Sequence, residues 1–311
     1  MEYRHEPVLL AEVSKQLNLS RGQTIVDCTL GGAGHAGAVI AKISPGGVLV
    51  GIDKDDAALE NAAKNLARFS QQIKLIKGDF KDLDKILLRL QVPLVNGILF
   101  DLGVSSVQFD IPQRGFSYRF DAPLDMRMDL SQKLTAKEIV NTYSESQLAY
   151  IIRKFGEERW AKRIAYFINE ARQRKPIGTT YELVEIIKKA IPASARRIGG
   201  HPARRTFQAL RIEVNKELEN LEKAIRDAAK WLKPGGRIVI ISYHSLEDRI
   251  VKGTFKSLAR GCICPPGLPI CQCGEKPQIK ILTKKAIRPT KEEIERNPRA
   301  ESARLRVAEK V

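Results

Sequence analysis

No apolar run in this 311-residue chain approaches the roughly 18 to 20 residues that a bilayer-spanning helix needs. The opening Met1-Glu2-Tyr3-Arg4-His5-Glu6-Pro7 has no apolar signal region either. The expectation is a soluble, cytoplasmic protein with no membrane partner. Cysteine is scarce as well: there are five, and four of them fall in one Pro- and Gly-rich stretch as Cys262-x-Cys264 and Cys271-x-Cys273. A reducing cytoplasm argues against disulfides there. Internal repeats and low-complexity tracts are absent, which sets aside solenoids and disordered linkers. What remains is a globular chain, long enough for one large core and a smaller second one.

Charge is plentiful but unevenly placed. Against a formal net charge of +17, residues 1–117 carry 13 basic and 13 acidic side chains, and residues 213–251 carry 7 of each. Residues 118–212 carry 19 basic and 10 acidic ones, and residues 252–311 carry 14 and 6. The whole excess lies in two segments. A basic balance kept for solubility would be spread along the chain, so segregation points to a polyanion, such as a nucleic acid, held by particular parts. An ordinary solvated face is the competing reading.

The first hundred residues alternate strand-like and helical patterns, the mark of βα units stacking a parallel sheet. Strands are predicted at Thr24 to Cys28, Val48 to Asp53, Ile73 to Ile76 and Gly97 to Asp101, with a helix over Ala57 to Phe69. From Asp129 to about Ile191 the pattern turns helical, with Ile151, Ile152, Ile164, Phe167 and Ile168 as core positions. The α/β rhythm resumes with a long amphipathic helix near Ala209 to Leu232, ended by Pro234-Gly235-Gly236, then a strand over Arg237 to Ser242. Gln278 to Thr283 and Ala303 to Ala308 read as final strands. The fold class is α/β: a discontinuous sheet domain over 1–117 and 208–311, interrupted by a basic helical insertion over 118–207.

Asp27-Cys-Thr-Leu-Gly-Gly-Ala-Gly-His-Ala-Gly37 follows the first strand, and Gly32-x-Gly34-x-x-Gly37 matches a dinucleotide fingerprint. Glycine at 32 or 34 would let a nucleotide-like ligand approach the backbone at a strand-to-helix turn, although a bland structural turn accounts for some such matches. Asp53, ending the second strand, is placed to accept hydrogen bonds from both hydroxyls of a ribose. Both NAD and S-adenosylmethionine carry that ribose. Asp27, just before the glycine turn, suits a cationic amino group and would repel a pyrophosphate, which favours S-adenosylmethionine. Asp101, ending the fourth strand, should reach the same crevice, since ligands of open α/β sheets sit outside the carboxyl ends of the strands. Gly78-Asp79-Phe80 offers an acceptor and an aromatic face for adenine, with a core role for Phe80 left open.

Asp101-Leu-Gly-Val-Ser-Ser106, Arg114-Gly-Phe116, Pro123-Leu-Asp-Met-Arg-Met-Asp129, Gly156-Glu-Glu-Arg159, Thr206-Phe-Gln-Ala-Leu-Arg-Ile212 and Ser242-Tyr-His-Ser-Leu-Glu-Asp-Arg249 together resemble the MraW/RsmH methyltransferases. The likeness runs from His5-Glu-Pro-Val-Leu-Leu10 to Leu305-Arg306. It implies a Rossmann-like S-adenosylmethionine-dependent methyltransferase sheet with an inserted substrate-recognition domain. It further implies methylation of the exocyclic N4 of a cytidine in 16S ribosomal RNA of the small ribosomal subunit, at the decoding centre. By the same resemblance the cofactor contacts would be Ala33, Gly34, His35, Asp53, Phe80, Asp101 and Gln108. Ala33, Val107, Phe109, Ala122 and Arg204 depart from the family pattern.

Methyl transfer from a sulfonium is an in-line displacement that needs nucleophile and methyl carbon aligned at about 3 to 3.5 Å. An acceptor for an N4 hydrogen would help a delocalised cytosine amine attack, and Asp101 is the candidate, as a catalytic residue or as a cofactor ligand only. The product nitrogen is acidic enough for water to take its proton, so no dedicated base is required. His35 and His244 are weighed as bases, with a structural network around Glu247 and Arg249 equally open for His244. The basic insertion, through Phe116, Arg127, Arg153, Lys154, Arg159, Lys162, Arg163, Arg196 and Arg197, is expected to hold RNA around an unstacked base, with ordinary surface charge or a core role for Phe116 as alternatives. The cysteine spacing admits a zinc knuckle but is tighter than Cys-x-x-Cys, so no metal is assigned. The missing Ser/Asp-Pro-Pro-aromatic signature favours RNA over DNA. Rival classes are a nicotinamide dehydrogenase, which has no use for Asp27 or Asp101, and a non-catalytic RNA-binding module, which needs no acid-lined cleft. Another RNA, DNA or ribosomal-protein target is the alternative within methyltransferases, and no obligate protein partner is inferred.

Overall fold

The computed structural model describes residues 7–196, 200–261, 264, 270, 272–274 and 276–311. The chain divides into two units, one of Met1–Gly103 with Leu218–Val311, the other of Val104–Glu217. The first unit holds a seven-stranded sheet: β1 (Thr24–Asp27), β2 (Val48–Asp53), β3 (Ile73–Lys77), β4 (Val95–Asp101), β5 (Leu232–Ser242), β6 (Ile279–Ile281) and β7 (Arg304–Lys310). Their order is β3-β2-β1-β4-β5-β7-β6. β1 to β5 run parallel, and β7 lies antiparallel to both β5 and β6.

Side chains alternate across a strand, so each parallel strand feeds two cores. Val26, Ile98, Phe100, Ile238 and Ile240 pack on one face with the helices Leu83–Arg89, Leu221–Trp231 and Ser245–Arg260. Ile25, Leu99, Val239 and Ile241 pack on the other with the helices Leu10–Gln16 and Gly34–Ile43. Order reverses between β1 and β4, which puts the switch-point crevice at their carboxyl ends.

The second unit is helical. Ala136–Thr142, Glu145–Gly156 and Thr180–Ala190 each begin with a capping box, Thr135 with Glu138, Ser144 with Gln147, and Thr179 with Glu182. Ile151, Ile152, Ile164 and Ile168 are buried in its core as expected, and Phe167 is half-buried. Val104, Phe109 and Phe116 join that core, which is why this unit starts at Val104 rather than near residue 118.

The single long helix expected near Ala209 to Leu232 is two helices, Arg204–Asn215 and Leu221–Trp231. Lys216 takes left-handed backbone angles (φ 52°) that end the first, and the Asn215 amide donates to the carbonyls of Met126 and Arg211. A periodic apolar face survives such a break, so the sequence pattern does not reveal it. Pro234, Gly235 and Gly236 fall inside β5, where the register with β4 shifts between Val95 and Gly97.

Candidate active site

Three acids end three neighbouring strands, Asp27 on β1, Asp53 on β2 and Asp101 on β4, so sheet geometry alone gathers them at the switch point. Asp53 is tied into the turn after β1. Its Oδ2 accepts from the Gly31 amide at 2.8 Å and its Oδ1 from the Asp55 amide at 2.9 Å. Asp27 is 2% exposed, and its Oδ1 accepts from the Thr29 amide at 3.1 Å. Its Oδ2 is buried without a hydrogen-bond partner among the described residues. The Asp101 amide donates to Thr29 Oγ1 at 2.6 Å, linking β4 to the same turn. Asp101 Oδ1 accepts from the Tyr243 hydroxyl at 2.8 Å, and Oδ2 lies 3.6 Å from His35 Nε2.

Crowding acids in a buried crevice costs charge. Burial, ahead of repulsion from Asp101 and Asp53, pushes the Asp27 carboxyl up to about 7. Burial likewise raises Asp101 to about 7, with the Tyr243 hydrogen bond opposing and Glu247 adding repulsion. Asp53 is raised by burial too, against the amides that hold it. Tyr243 is held well above its ordinary value by burial and by the Asp101 charge, so it stays a donor. Such a cluster is a receptor for a cation.

Ala33 caps the helix Gly34–Ile43 in left-handed backbone (φ 62°), and His35 is buried in its first turn. The two glycines have different reasons. A side chain at Gly34 would run into the Pro7 ring, so that glycine serves packing within the chain, whereas a Cβ at Gly32 would meet no protein atom within 4 Å. Phe80 is half-buried with its ring edge-on to Phe100, centroids 5.9 Å apart. Gln108 belongs to the second unit, where it is buried and its Oε1 accepts from the Ser105 amide at 3.1 Å.

Sequence reasoning misses Tyr243 and Thr29. Tyr243 directly follows the last residue of β5, next to a histidine that is the more obvious candidate for chemistry. His244 is the N-cap of Ser245–Arg260: its ring accepts from the Glu247 amide while the Glu247 carboxylate accepts from the His244 and Tyr243 amides. These bonds give His244 a structural role at the start of that helix.

Two expected RNA contacts are occupied otherwise. Phe116 is a core residue of the second unit. Arg127 grips the Asp125 carboxylate at 2.9 and 2.8 Å and caps the carbonyls of Leu130 and Gln132. Arg153, Lys154, Arg159, Lys162, Arg163 and Arg196 are exposed; Arg197 lies outside the described residues, as do His5, Cys262 and Cys271.

A parallel sheet with an acid-lined crevice at the switch between β1 and β4, closed by an antiparallel β7 beside β5, defines a Rossmann-like methyltransferase of the class that uses a cationic methyl donor. A model of the MraW methylase family matches residues 2–311, and the chain belongs to that family. A ribosomal RNA small subunit methyltransferase H of Halothermothrix orenii is 55% identical over 307 residues, covering 99% of this chain and 98% of that protein. A protein of the same name from Clostridioides difficile is 52% identical over 311 residues, covering all of both chains. The family's cofactor is S-adenosylmethionine, and the site fits it: the unpartnered Asp27 Oδ2 and the neighbouring acids suit a ligand bearing an ammonium and a sulfonium. No helix among the described residues is long and apolar enough to cross a membrane.

Proposed function

We propose that this protein methylates the exocyclic N4 of a cytidine in small-subunit ribosomal RNA, at the decoding centre, in the cytoplasm. The observation that carries the chemistry is the pair of carboxyls at the switch point, Asp27 buried and Asp101 half-buried, both raised to about 7 and so favouring a bound cation. The family match and the names of its relatives support the RNA target.

Ala33, Gly34, His35, Asp53, Phe80, Asp101 and Gln108 would hold the cofactor, with Asp27 facing its ammonium and Asp53 its ribose. S-adenosylmethionine supplies an electrophilic methyl on sulfur. Asp101 would accept a hydrogen bond from the cytosine N4–H, which localises the amine lone pair for attack, and the proton lost after transfer goes to water; Tyr243 holds the other carboxylate oxygen and fixes its direction. The second unit, residues 118–207 at its centre, contacts RNA through its exposed cations.

The test is to incubate the protein with labelled S-adenosylmethionine and, separately, unmodified small subunits, free rRNA, DNA and ribosomal proteins, then to digest the nucleic acids to nucleosides. Label in N4-methylcytidine from the small-subunit samples is expected. Label in another nucleoside, in DNA or in protein replaces the target, and NADH binding in place of S-adenosylmethionine ends the methyltransferase reading.

A further inference from the structure

The second basic segment of the chain takes no part in the site. Residues 276–291 hold six cations, Lys276, Lys280, Lys284, Lys285, Arg288 and Lys291, and no acid. All six are exposed, and none makes an ion pair among the described residues. Lys280 stands across the ladder from Glu309, but that carboxylate already binds Arg237 at 2.9 Å.

Topology decides where this run lies. β6 is the outermost strand of the sheet and runs toward the same end as β5. Beyond it, Ile287 exchanges hydrogen bonds with Leu305, and Leu305 pairs with Ile241 near the end of β5. Lys284, Lys285 and Arg288 therefore sit at the carboxyl edge of the sheet, the edge that carries Asp101. Three strand spacings separate them from β4, about 14 Å at about 4.8 Å each. Lysines on an edge strand do discourage strand addition. β6 is only three residues long and needs little of that protection, and of the six cations it holds Lys280 alone.

We propose that this run is a track for the phosphate backbone of the RNA substrate, with Lys284, Lys285 and Arg288 gripping the nucleotides that flank the target base. The proposal rests on the reading of the substrate as RNA. Exposed cations without acid partners keep their counterions until a polyanion replaces them, so their contribution is read in the salt dependence of binding.

The experiment compares wild type, K284Q/K285Q, R288Q and the triple variant K284Q/K285Q/R288Q. A control triple, K42Q/K64Q/K74Q, changes exposed lysines elsewhere in the first unit by the same total charge. Binding to an unmodified small-subunit rRNA transcript is measured from 50 to 200 mM KCl, with S-adenosylmethionine affinity as the check on folding. Each lost contact should flatten the slope of log K against log salt by about 0.7 for single-stranded RNA, so the triple variant should lose about 2 and bind on the order of 100-fold more weakly at 0.1 M salt. The pair and the single variant should lose about 1.4 and 0.7. An unchanged slope in all three overturns the proposal, as does an equal loss in the control triple, which would make net charge the cause. Wild-type protein that neither binds nor methylates RNA is a separate result, and it removes the RNA reading itself.

Discussion

If Asp27 is the counter-charge for the cofactor's ammonium, the protein without cofactor bears the cost of burying it. Moving a carboxyl from 3.8 to about 7 is roughly 3 units at about 1.4 kcal/mol each, so charged Asp27 destabilises the cofactor-free fold by up to about 4 kcal/mol. The sign follows from the raised value. Below 3.8 both folded and unfolded chains carry the proton and nothing is lost; the penalty grows between 3.8 and about 7 and is constant above. Asp27→Asn keeps the oxygen that accepts from the Thr29 amide and puts a neutral group where Oδ2 has no partner. The variant should therefore be about 2 to 4 kcal/mol more stable than wild type in urea unfolding at pH 8, and indistinguishable from it near pH 4. Cofactor at 100 times its Kd should add about 2.7 kcal/mol to wild type and far less to the variant. An Asp27→Asn protein no more stable than wild type at pH 8, or equally stabilised at pH 4 and 8, refutes the reasoning, because a charge penalty must vanish with the charge.

Three further outcomes follow from the same geometry. Cofactor affinity in wild type should rise with pH, up to about tenfold per unit for each proton displaced below pH 7, and level off above; calorimetry in buffers of different ionisation enthalpy should show proton release near pH 6. Asp101→Ala should lower single-turnover methyl transfer on the order of 100-fold; normal cofactor binding with full turnover removes its role as hydrogen acceptor. Tyr243→Phe deletes the donor that favours charged Asp101, so the acidic limb of the rate profile should move to higher pH, and a profile that stays in place shows the hydroxyl to be structural only.

The strands and their terminal acids are legible because parallel strands buried on both faces read as short apolar runs, and a charge after such a run has nowhere to go but the carboxyl edge. Asp27, Asp53 and Asp101 are found that way. What the sequence hides depends on partners far along the chain. Gly34 is glycine because Pro7 lies against it, and Asn215 ends a helix by binding a backbone 89 residues away. Tyr243 reaches Asp101 across 142 residues, and no local pattern marks a hydroxyl as a partner. Arg127 reads as a surface cation in the sequence, whereas its bidentate bond to Asp125 closes its own loop. Charge composition finds the basic segments but not which members are spoken for.

A cleft that attracts a cation and a track that attracts a polyanion must share one sheet without cancelling. Spacing and burial allow it. At physiological ionic strength fields decay over about 8 Å, less than the about 14 Å between β4 and the turn after β6, so the exposed lysines scarcely repel the cofactor. Asp27, 2% exposed, is screened from salt by the fold itself, whereas Lys284, Lys285 and Arg288 are open to it. Raising KCl from 50 to 200 mM should then weaken RNA binding by orders of magnitude while moving S-adenosylmethionine affinity less than about twofold. Parallel losses of both would mean that one electrostatic field serves both ligands, and the separation argued from the sheet would be wrong.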